Sequence, residues 1–299
     1  MKKILSSKPI VSILILTYEG ELILEKCISS ALAQNTSDFE IEVLVLDNGS
    51  TDKTSEILSG ISGIKTFKNS KNQSFTKGFN RLYRESSGDF VLLLSNDVFL
   101  ADNNFIVKAF NFLISNEDHG AYAPKSIKSD GSVERIPKRE IYISRLFLDY
   151  TILGPIVQRL FPNMQFGLSD YSLDEDINDV DVLQDSSLFI RRSVLNPQRI
   201  FDERMAFYYT EDYLCDLIRS NGNKLCYSTE TTVEHLYRFS TSKMGKVMIA
   251  YIYVKDAIFF SSNKYGKFIS FIILAPLAFL TLSIRVLIWF IKGDLSWKN

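Results

Sequence analysis

Along the first hundred residues, short apolar runs alternate with amphipathic stretches. Ile10 to Leu16, Ile41 to Leu46 and Phe90 to Leu94 are rich in Ile, Val and Leu, which suits parallel strands buried on both faces. Between them lie helix-like stretches around 21–34, 51–59 and 74–86. The second opens at Ser50/Thr51 and stops at Gly60; the third opens after Asn72 and stops before Gly88, the usual cap and stop residues. Strand–helix alternation predicts an α/β sheet with right-handed crossovers. Phe105 to Asn116 reads as a further helix, and Ser129-Asp130-Gly131-Ser132 as a hairpin turn. Residues 138–178 are less regular, and the acidic cluster Asp174, Glu175, Asp176, Asp179 and Asp181 reads as solvated loop. Val182 to Arg191 reads as a strand, Glu211 to Ser220 and 243–262 as helices.

The two ends of the chain differ. Met1-Lys2-Lys3 and the apolar residues after it resemble a secretory signal, but Ser6-Ser7-Lys8-Pro9 interrupts them and no small-residue cleavage site comes after. A buried first strand is the expectation. From Phe268 to Ile284 no residue is charged, and apolar character resumes after Arg285 through Ile291. A span needs about 20 apolar residues, so a single span, an in-plane membrane helix and a core helix all remain open. Pro276 is expected to kink it. The expected division is a domain over 1–240 and a helical, membrane-associating segment over 241–299.

Composition narrows the class. With 46% hydrophobic and 23% charged residues in 299, the chain can bury a sizeable core and is neither disordered nor low-complexity. Lys plus Arg (34) nearly balances Asp plus Glu (35), so no global field favours nucleic acid as a partner. Cys27, Cys215 and Cys226 are too few and scattered for a disulfide framework or a Cys-rich zinc site.

In an open parallel sheet, ligands collect outside the carboxyl ends of the strands. Those ends carry Thr17-Tyr18-Glu19-Gly20, Asp47-Asn48-Gly49-Ser50-Thr51-Asp52 and Ser95-Asn96-Asp97. Each string alone is what a strand-to-helix turn prefers; three in register make a site. No GxGxxG or GxxxxGK[ST] string occurs. Carboxylates at strand ends suit ribose hydroxyls, a base N–H, or a divalent cation bridging substrate phosphates. That chemistry points to a nucleotide-diphosphate substrate.

The strings VSILILTYEGELILEKCISSALAQ and VLVLDNGSTDKTSEIL resemble the opening of the family 2 glycosyltransferases. NQSFTKGFNRLYRESSGDFVLLLSNDV is similar to that family's stretch leading to its acidic metal motif. LFIRRSVL, FDERMAFYYTEDYLCDLIRSNG and VEHLYRFS resemble later blocks of the rhamnosyltransferase-like branch. The resemblance covers about residues 10–240, specific for the family and not for the sugar. It implies the glycosyltransferase-A fold: a Rossmann-like, mostly parallel central sheet flanked by helices, here continued by C-terminal apolar helices.

The resemblance also implies roles. Thr17, Tyr18, Glu19, Asp47 and Asn48 would line the nucleotide base and ribose, and Lys77 would lie near the base or phosphates. The Asp-x-Asp metal motif falls on Ser95-Asn96-Asp97, so only Asp97 is a carboxylate and Ser95 and Asn96 are left as substrate contacts. His235 resembles a family His that completes the metal site, with Mg²⁺ or Mn²⁺ as the expected cofactor. A turn cap at Asp97 and a structural histidine at 235 are the plain alternatives. His119 is expected at a surface or helix end. Within Thr210-Glu211-Asp212, Asp212 corresponds to the general base, with Glu211 beside it; acids in a first helical turn have a plain reading too. Arg191-Arg192 could meet phosphates or form a solvated pair.

The implied activity is inverting, metal-dependent transfer of a hexosyl- or rhamnosyl-type sugar from a UDP- or dTDP-sugar donor. The acceptor would be a glycan, lipid-linked, in surface-polysaccharide assembly at the cytoplasmic face of the membrane. Transfer to a polyprenyl phosphate is the nearest alternative, and a sugar-nucleotide-binding protein without turnover, favoured by Ser95, is another. A nucleotidyltransferase leaves the Glu-Asp pair without a role.

Overall fold

The computed structural model describes residues 8–151, 153–161, 171–236 and 245–291. Among the described residues eight strands form one sheet: β1 (Ile10–Thr17), β2 (Glu40–Asp47), β3 (Ile64–Lys68), β4 (Phe90–Ser95), β5 (Val98–Phe99), β6 (His119–Lys128), β7 (Ser187–Arg191) and β8 (Lys224–His235). Their spatial order is β3-β2-β1-β4-β7-β6-β8-β5. The first four are parallel, and every residue of β1 faces a partner on β2 from Ile10↔Glu40 to Thr17↔Asp47. β7 runs antiparallel to both β4 and β6, whereas β6 and β8 are parallel. The mostly parallel α/β sheet of the glycosyltransferase-A type is therefore present.

Helices α1 (Leu24–Leu32), α2 (Thr54–Gly60), α3 (Phe75–Glu85) and α4 (Phe105–Ser115) are the crossovers. They bury apolar faces on both sides of the sheet, in line with period-3.6 patterning. One core joins Val11, Ile13 and Ile15 to Cys27, Ile28, Phe105 and Phe110. The other joins Leu14, Leu44 and Leu46 to Phe79, Leu82 and Leu214. The hairpin turn at 129–132 is present, with Gly131 at φ +80°.

Four expectations need correcting. Val182–Arg191 is not one strand: pairing with β4 covers only Ser187–Arg191, and Val182 makes an isolated bridge to Lys138. Residues 138–178 are not all irregular, since α5 (Ile143–Tyr150) and α6 (Leu153–Leu160) lie there. The acidic cluster is only partly solvated loop: Asp176 accepts bonds from Thr229 N (2.6 Å) and Ser228 Oγ (3.2 Å), and Asp181 lies 3.6 Å from Arg219. His119 is buried at the start of β6, held by Asp118 (2.8 Å) and the Asn178 carbonyl (2.7 Å).

Helix α7 (Thr210–Ser220) crosses beneath the β6–β8 half, and α8 (Lys246–Lys264) comes after it. Residues 237–244, within the predicted boundary at 240/241, lie outside the described residues. A third apolar cluster joins Leu146, Met205, Tyr209, Ala257, Phe260, Leu274 and Ala278. It fastens α5, α8 and the C-terminal helix to the segment that precedes α7.

The tail is a continuous helix of 24 residues, Phe268–Ile291, with mean hydropathy 2.4 and only 17% of its most apolar window buried. It starts as a π-helical stretch, Phe268–Leu274, and continues as α9 (Ala275–Ile291). Pro276 falls in the first turn of α9, directly after the π-helical stretch and its Ala275 N→Ser270 O bond. Gly266, at φ +93°, lets the chain turn so that α9 packs along α8.

Candidate active site

The carboxyl ends of β1, β2 and β4 lie side by side, because Thr17 pairs with Asp47 and Leu16 with Ser95. Thr17 is buried, and its Oγ1 accepts a bond from Asn96 Nδ2 at 2.9 Å. The Glu19 carboxylate accepts from Thr51 N (2.9 Å) and Thr51 Oγ1 (3.0 Å) at a φ of +52°. Tyr18 is exposed. Asp47 is buried and accepts from Ser50 N (2.8 Å) and Ser55 Oγ (2.5 Å), so it shapes its own turn. Asn48 brackets the next loop: its Oδ1 accepts from Asn69 Nδ2 (2.7 Å) and Gln73 N (3.1 Å). Gly49, at φ +84°, permits that bracket, since a Cβ there would lie 2.5–2.8 Å from backbone atoms of Lys71 and Asn72.

Asp97 and His235 meet across the β5–β8 pairing, where Val98 faces His235. Both are buried; His235 Nε2 lies 3.5 Å from Asp97 Oδ1 and Nδ1 lies 2.7 Å from Glu134 Oε2. Glu134 is also buried and accepts from Ser126 Oγ at 2.8 Å. Burial opposes the charged imidazolium, but the two carboxylates outweigh it and raise His235 to about 9. With Glu134 on Nδ1 fixing the ring, Nε2 faces Asp97, an arrangement that would suit a metal between Nε2 and Asp97 as well as a plain ion pair. Among the described residues no three His, Cys, Asp or Glu side chains are placed to hold a metal ion together. Asp97 and His235 would be able to hold Mg²⁺ or Mn²⁺ only with further oxygen ligands, such as those of a substrate phosphate.

The second cluster sits at the start of α7. Lys138 Nζ binds Glu211 Oε1 at 3.0 Å. Burial would raise Glu211, but Lys138 more than offsets it and holds Glu211 below the usual carboxylate range. Asp212 is buried; burial first, then the neighbouring Glu211 and Asp185 charges, push it up to about 7. Asp185, also buried, is raised to about 7 by burial and by Glu211. Three carboxylates thus share one lysine, and the excess negative charge is relieved by holding protons.

A three-residue strap joins the clusters. Ser186 O accepts from Ser95 N at 2.8 Å, so Gln184-Asp185-Ser186 runs alongside Ser95-Asn96-Asp97. Gln184 neighbours Glu134, and Asp185 neighbours Thr210 at the start of α7. Gln184 Oε1, Asp185 Oδ2 and Ser186 Oγ are buried without a protein partner.

Lys77 stands apart. It is exposed on α3 and faces an open groove of about 990 Å³ that Arg84, Arg192, Arg199 and Arg204 also line, away from the strand-end residues. Arg192, partly exposed at that groove, donates to Gly88 O and Ser86 Oγ and lies over the Tyr83 ring. Arg191 bonds the Leu113 carbonyl.

The sequence profile of glycosyl transferase family 2 matches residues 12–172, more than half of the chain. The chain belongs to glycosyl transferase family 2. An uncharacterized glycosyltransferase of Haemophilus influenzae is 34% identical to this glycosyltransferase over 122 residues, 38% of this chain and 48% of that protein. The chain thus aligns with about half the length of that curated relative. Among solved structures, the mannosyltransferase PcManGT of Pyrobaculum calidifontis, in complex with GDP-Man and Mn²⁺, superposes with a TM-score of 0.57 at 14% identity, over 97% of this chain and 77% of that one. S. aureus TarS 1–349 in complex with UDP superposes with a TM-score of 0.56 at 15% identity, over 85% and 65%. A TarS complex with UDP-GlcNAc gives 0.54 at 14%, over 87% and 73%. These likenesses bear on the fold.

In this glycosyltransferase the structure brings together Thr17 with Asn96, Asp97 with His235, and Glu211 with Asp212. Sequence reasoning missed Glu134, Lys138 and Asp185. Asp185 left a signal, the polar run Gln184-Asp185-Ser186-Ser187 just before an apolar strand. The antiparallel course of β7 places that run at the same edge as the β4 end, and no local pattern encodes it.

Proposed function

We propose that this glycosyltransferase transfers a sugar, with inversion, from a nucleoside-diphosphate donor to a hydroxyl of a lipid-linked glycan, as in surface-polysaccharide assembly. The carrying observation is that the Asp97–His235 pair and the Asp212 cluster are joined by one short strap, Gln184 to Ser186, at the carboxyl edge of β4. The donor diphosphate would sit at the first, the acceptor hydroxyl at the second, and the sugar between them. Asp97 and His235 would hold a divalent cation, which neutralises charge on the departing diphosphate. Asp212 takes the proton of the acceptor hydroxyl as its oxygen bonds to the anomeric carbon and the bond to the phosphate oxygen breaks. Glu211 is held ionised by Lys138 and serves as a fixed negative charge rather than the base. Thr17, Tyr18, Glu19, Asp47 and Asn48 shape the nucleotide end, and Lys77 would approach it from α3.

A panel of UDP-, dTDP- and GDP-sugars, including rhamnosyl and hexosyl donors, scored by thermal shift with and without Mn²⁺, tests the donor reading. Binding to the native state raises stability by RT ln(1 + [L]/Kd), so the true donor stands out, and does so more with Mn²⁺. A flat panel overturns the reading. If the acceptor is instead a polyprenyl phosphate, no hydroxyl proton has to be taken up, and Asp212→Asn is mild.

The exposed apolar face of Phe268–Ile291 supports attachment to the cytoplasmic face of a membrane. Phe268, Ile272, Leu280, Leu287, Phe290 and Ile291 each expose more than half of their surface. Removing residues 268–299 should release the chain from membranes and reduce transfer to a lipid-linked acceptor more than donor hydrolysis. Recovery of the intact chain as a monodisperse, detergent-free species would count against the membrane reading.

A further inference from the structure

We infer that Asp256, on helix α8, is a positioning residue that sets the segment leading into α7 and so the placement of Asp212. This rests on the reading of Asp212 as the base. Asp256 is fully buried, and both of its oxygens are spent on one short segment of backbone. Oδ1 accepts from Ala206 N at 2.9 Å; Oδ2 accepts from Phe207 N at 2.8 Å and Tyr208 N at 2.9 Å. Bonds from N–H groups to an ionised carboxylate are among the stronger kinds. Lys255 Nζ, 3.9 Å away, adds a cation.

The other side of the same segment is tied to α3. Thr76 Oγ1 donates to Met205 O at 2.6 Å, and Phe75 N to Ala206 O at 3.1 Å. Residues 205–208 are therefore gripped from two directions, carbonyls by α3 and amides by α8. The ring of Tyr253, on α8, stacks on Tyr208 at 3.4 Å between centroids.

The next four residues explain the grip. Tyr209 takes φ +61°, a left-handed conformation costly for a residue with a Cβ, and Thr210-Glu211-Asp212 begins α7 straight after it. Such a conformation persists only where its surroundings over-determine it. The first N–H groups of a helix have no intrahelical partners, so α7 cannot fix its own entry. Asp256 on the three preceding amides, with Tyr150 Oη and the Phe260 ring on Tyr209, fixes it from outside. The direction in which Asp212 leaves the helix is thereby set by a residue 44 positions further along the chain.

The test uses the full-length chain in detergent, with Asp256→Asn and Asp256→Ala measured beside Asp212→Asn. Asparagine keeps the shape but turns an NH₂ toward backbone N–H groups; alanine removes every acceptor. With the donor selected by the panel, kcat should fall about 10-fold for Asn and about 10²-fold for Ala, while donor Kd stays within about 2-fold. Hydrogen exchange at Ala206, Phe207 and Tyr208 should quicken in both variants, and this readout needs no substrate. Unchanged exchange, wild-type kcat, or a parallel loss of donor affinity overturns the inference. If the alanine variant does not fold, the asparagine variant carries the same readouts. Full activity of Asp212→Asn would instead sink the base assignment, which the exchange experiment does not depend on.

Discussion

The two halves of the site solve one electrostatic problem in opposite ways. At the edge by β5 and β8, Asp97 and Glu134 flank one imidazole, and the excess charge is met by a strongly held proton on His235. At the start of α7, Asp185, Glu211 and Asp212 share Lys138, and the excess is met by protons on the aspartates. In the proposed function, the first half would exchange its proton for a cation between Asp97 and His235. The second keeps a carboxylate whose ionisation falls near neutrality, where a general base works best. The chemistry differs because histidine can surrender its proton to a metal, whereas the lysine of the second half stays charged: against the pull of burial, Glu211 and Asp212 hold it in that form.

The sharpest break between the halves is Asp212→Asn. Turnover should fall by about 10²–10⁴-fold with donor affinity nearly unchanged. Equal losses in kcat and donor affinity would move Asp212 from the base half to binding. Next in size, EDTA should abolish Mn²⁺-dependent donor binding, and Asp97→Ala should mimic it while leaving the second cluster intact. Glu134→Gln, which weakens the orienting bond to His235, should lower metal affinity by about 10-fold or more. Full activity in chelator would make Asp97 and His235 a structural pair.

The smallest effect concerns pH. Asp185 and Asp212 are raised to about 7, so kcat should climb as pH rises through about 7 and the base ionises. Their contribution to stability has the opposite sign. The folded chain holds protons there that the unfolded chain releases near pH 4, so this contribution is full below that pH and is lost as pH rises through about 7. Lys138→Met should move the acid limb of kcat upward by about one pH unit. An unmoved limb would show that Lys138 does not face the titrating group.

Much of the fold and part of the site are legible in the sequence. β1, β2 and β4 can be read because each is apolar nearly throughout and ends in turn-forming polar residues, and α7 because acids open it. The same strand ends single out Thr17, Asp47 and Asp97 without any geometry. β3 cannot be read: it is a short edge strand with Lys65, Thr66 and Lys68, partly exposed along its length. β6 is hidden by Pro124, which sits at a shift in register where the pairing with β8 tolerates a residue without an N–H.

Local pattern fixes which stretches are buried and where the chain can turn, because burial and turn conformation depend on neighbours a few residues apart. It therefore determined the sheet type, the crossover helices, the apolar tail and the acids at strand and helix ends. Only tertiary structure decided that β7 runs antiparallel, which carries Gln184-Asp185-Ser186 to the end of β4. Likewise, pairing across the sheet and packing between helices brought Glu134 to His235, Lys138 to Glu211 and Asp256 to the amides before Asp212. Those partners are 101, 73 and about 50 residues apart. At such distances a contact depends on strand order and helix packing, which are settled by the whole buried core rather than by any short run of residues.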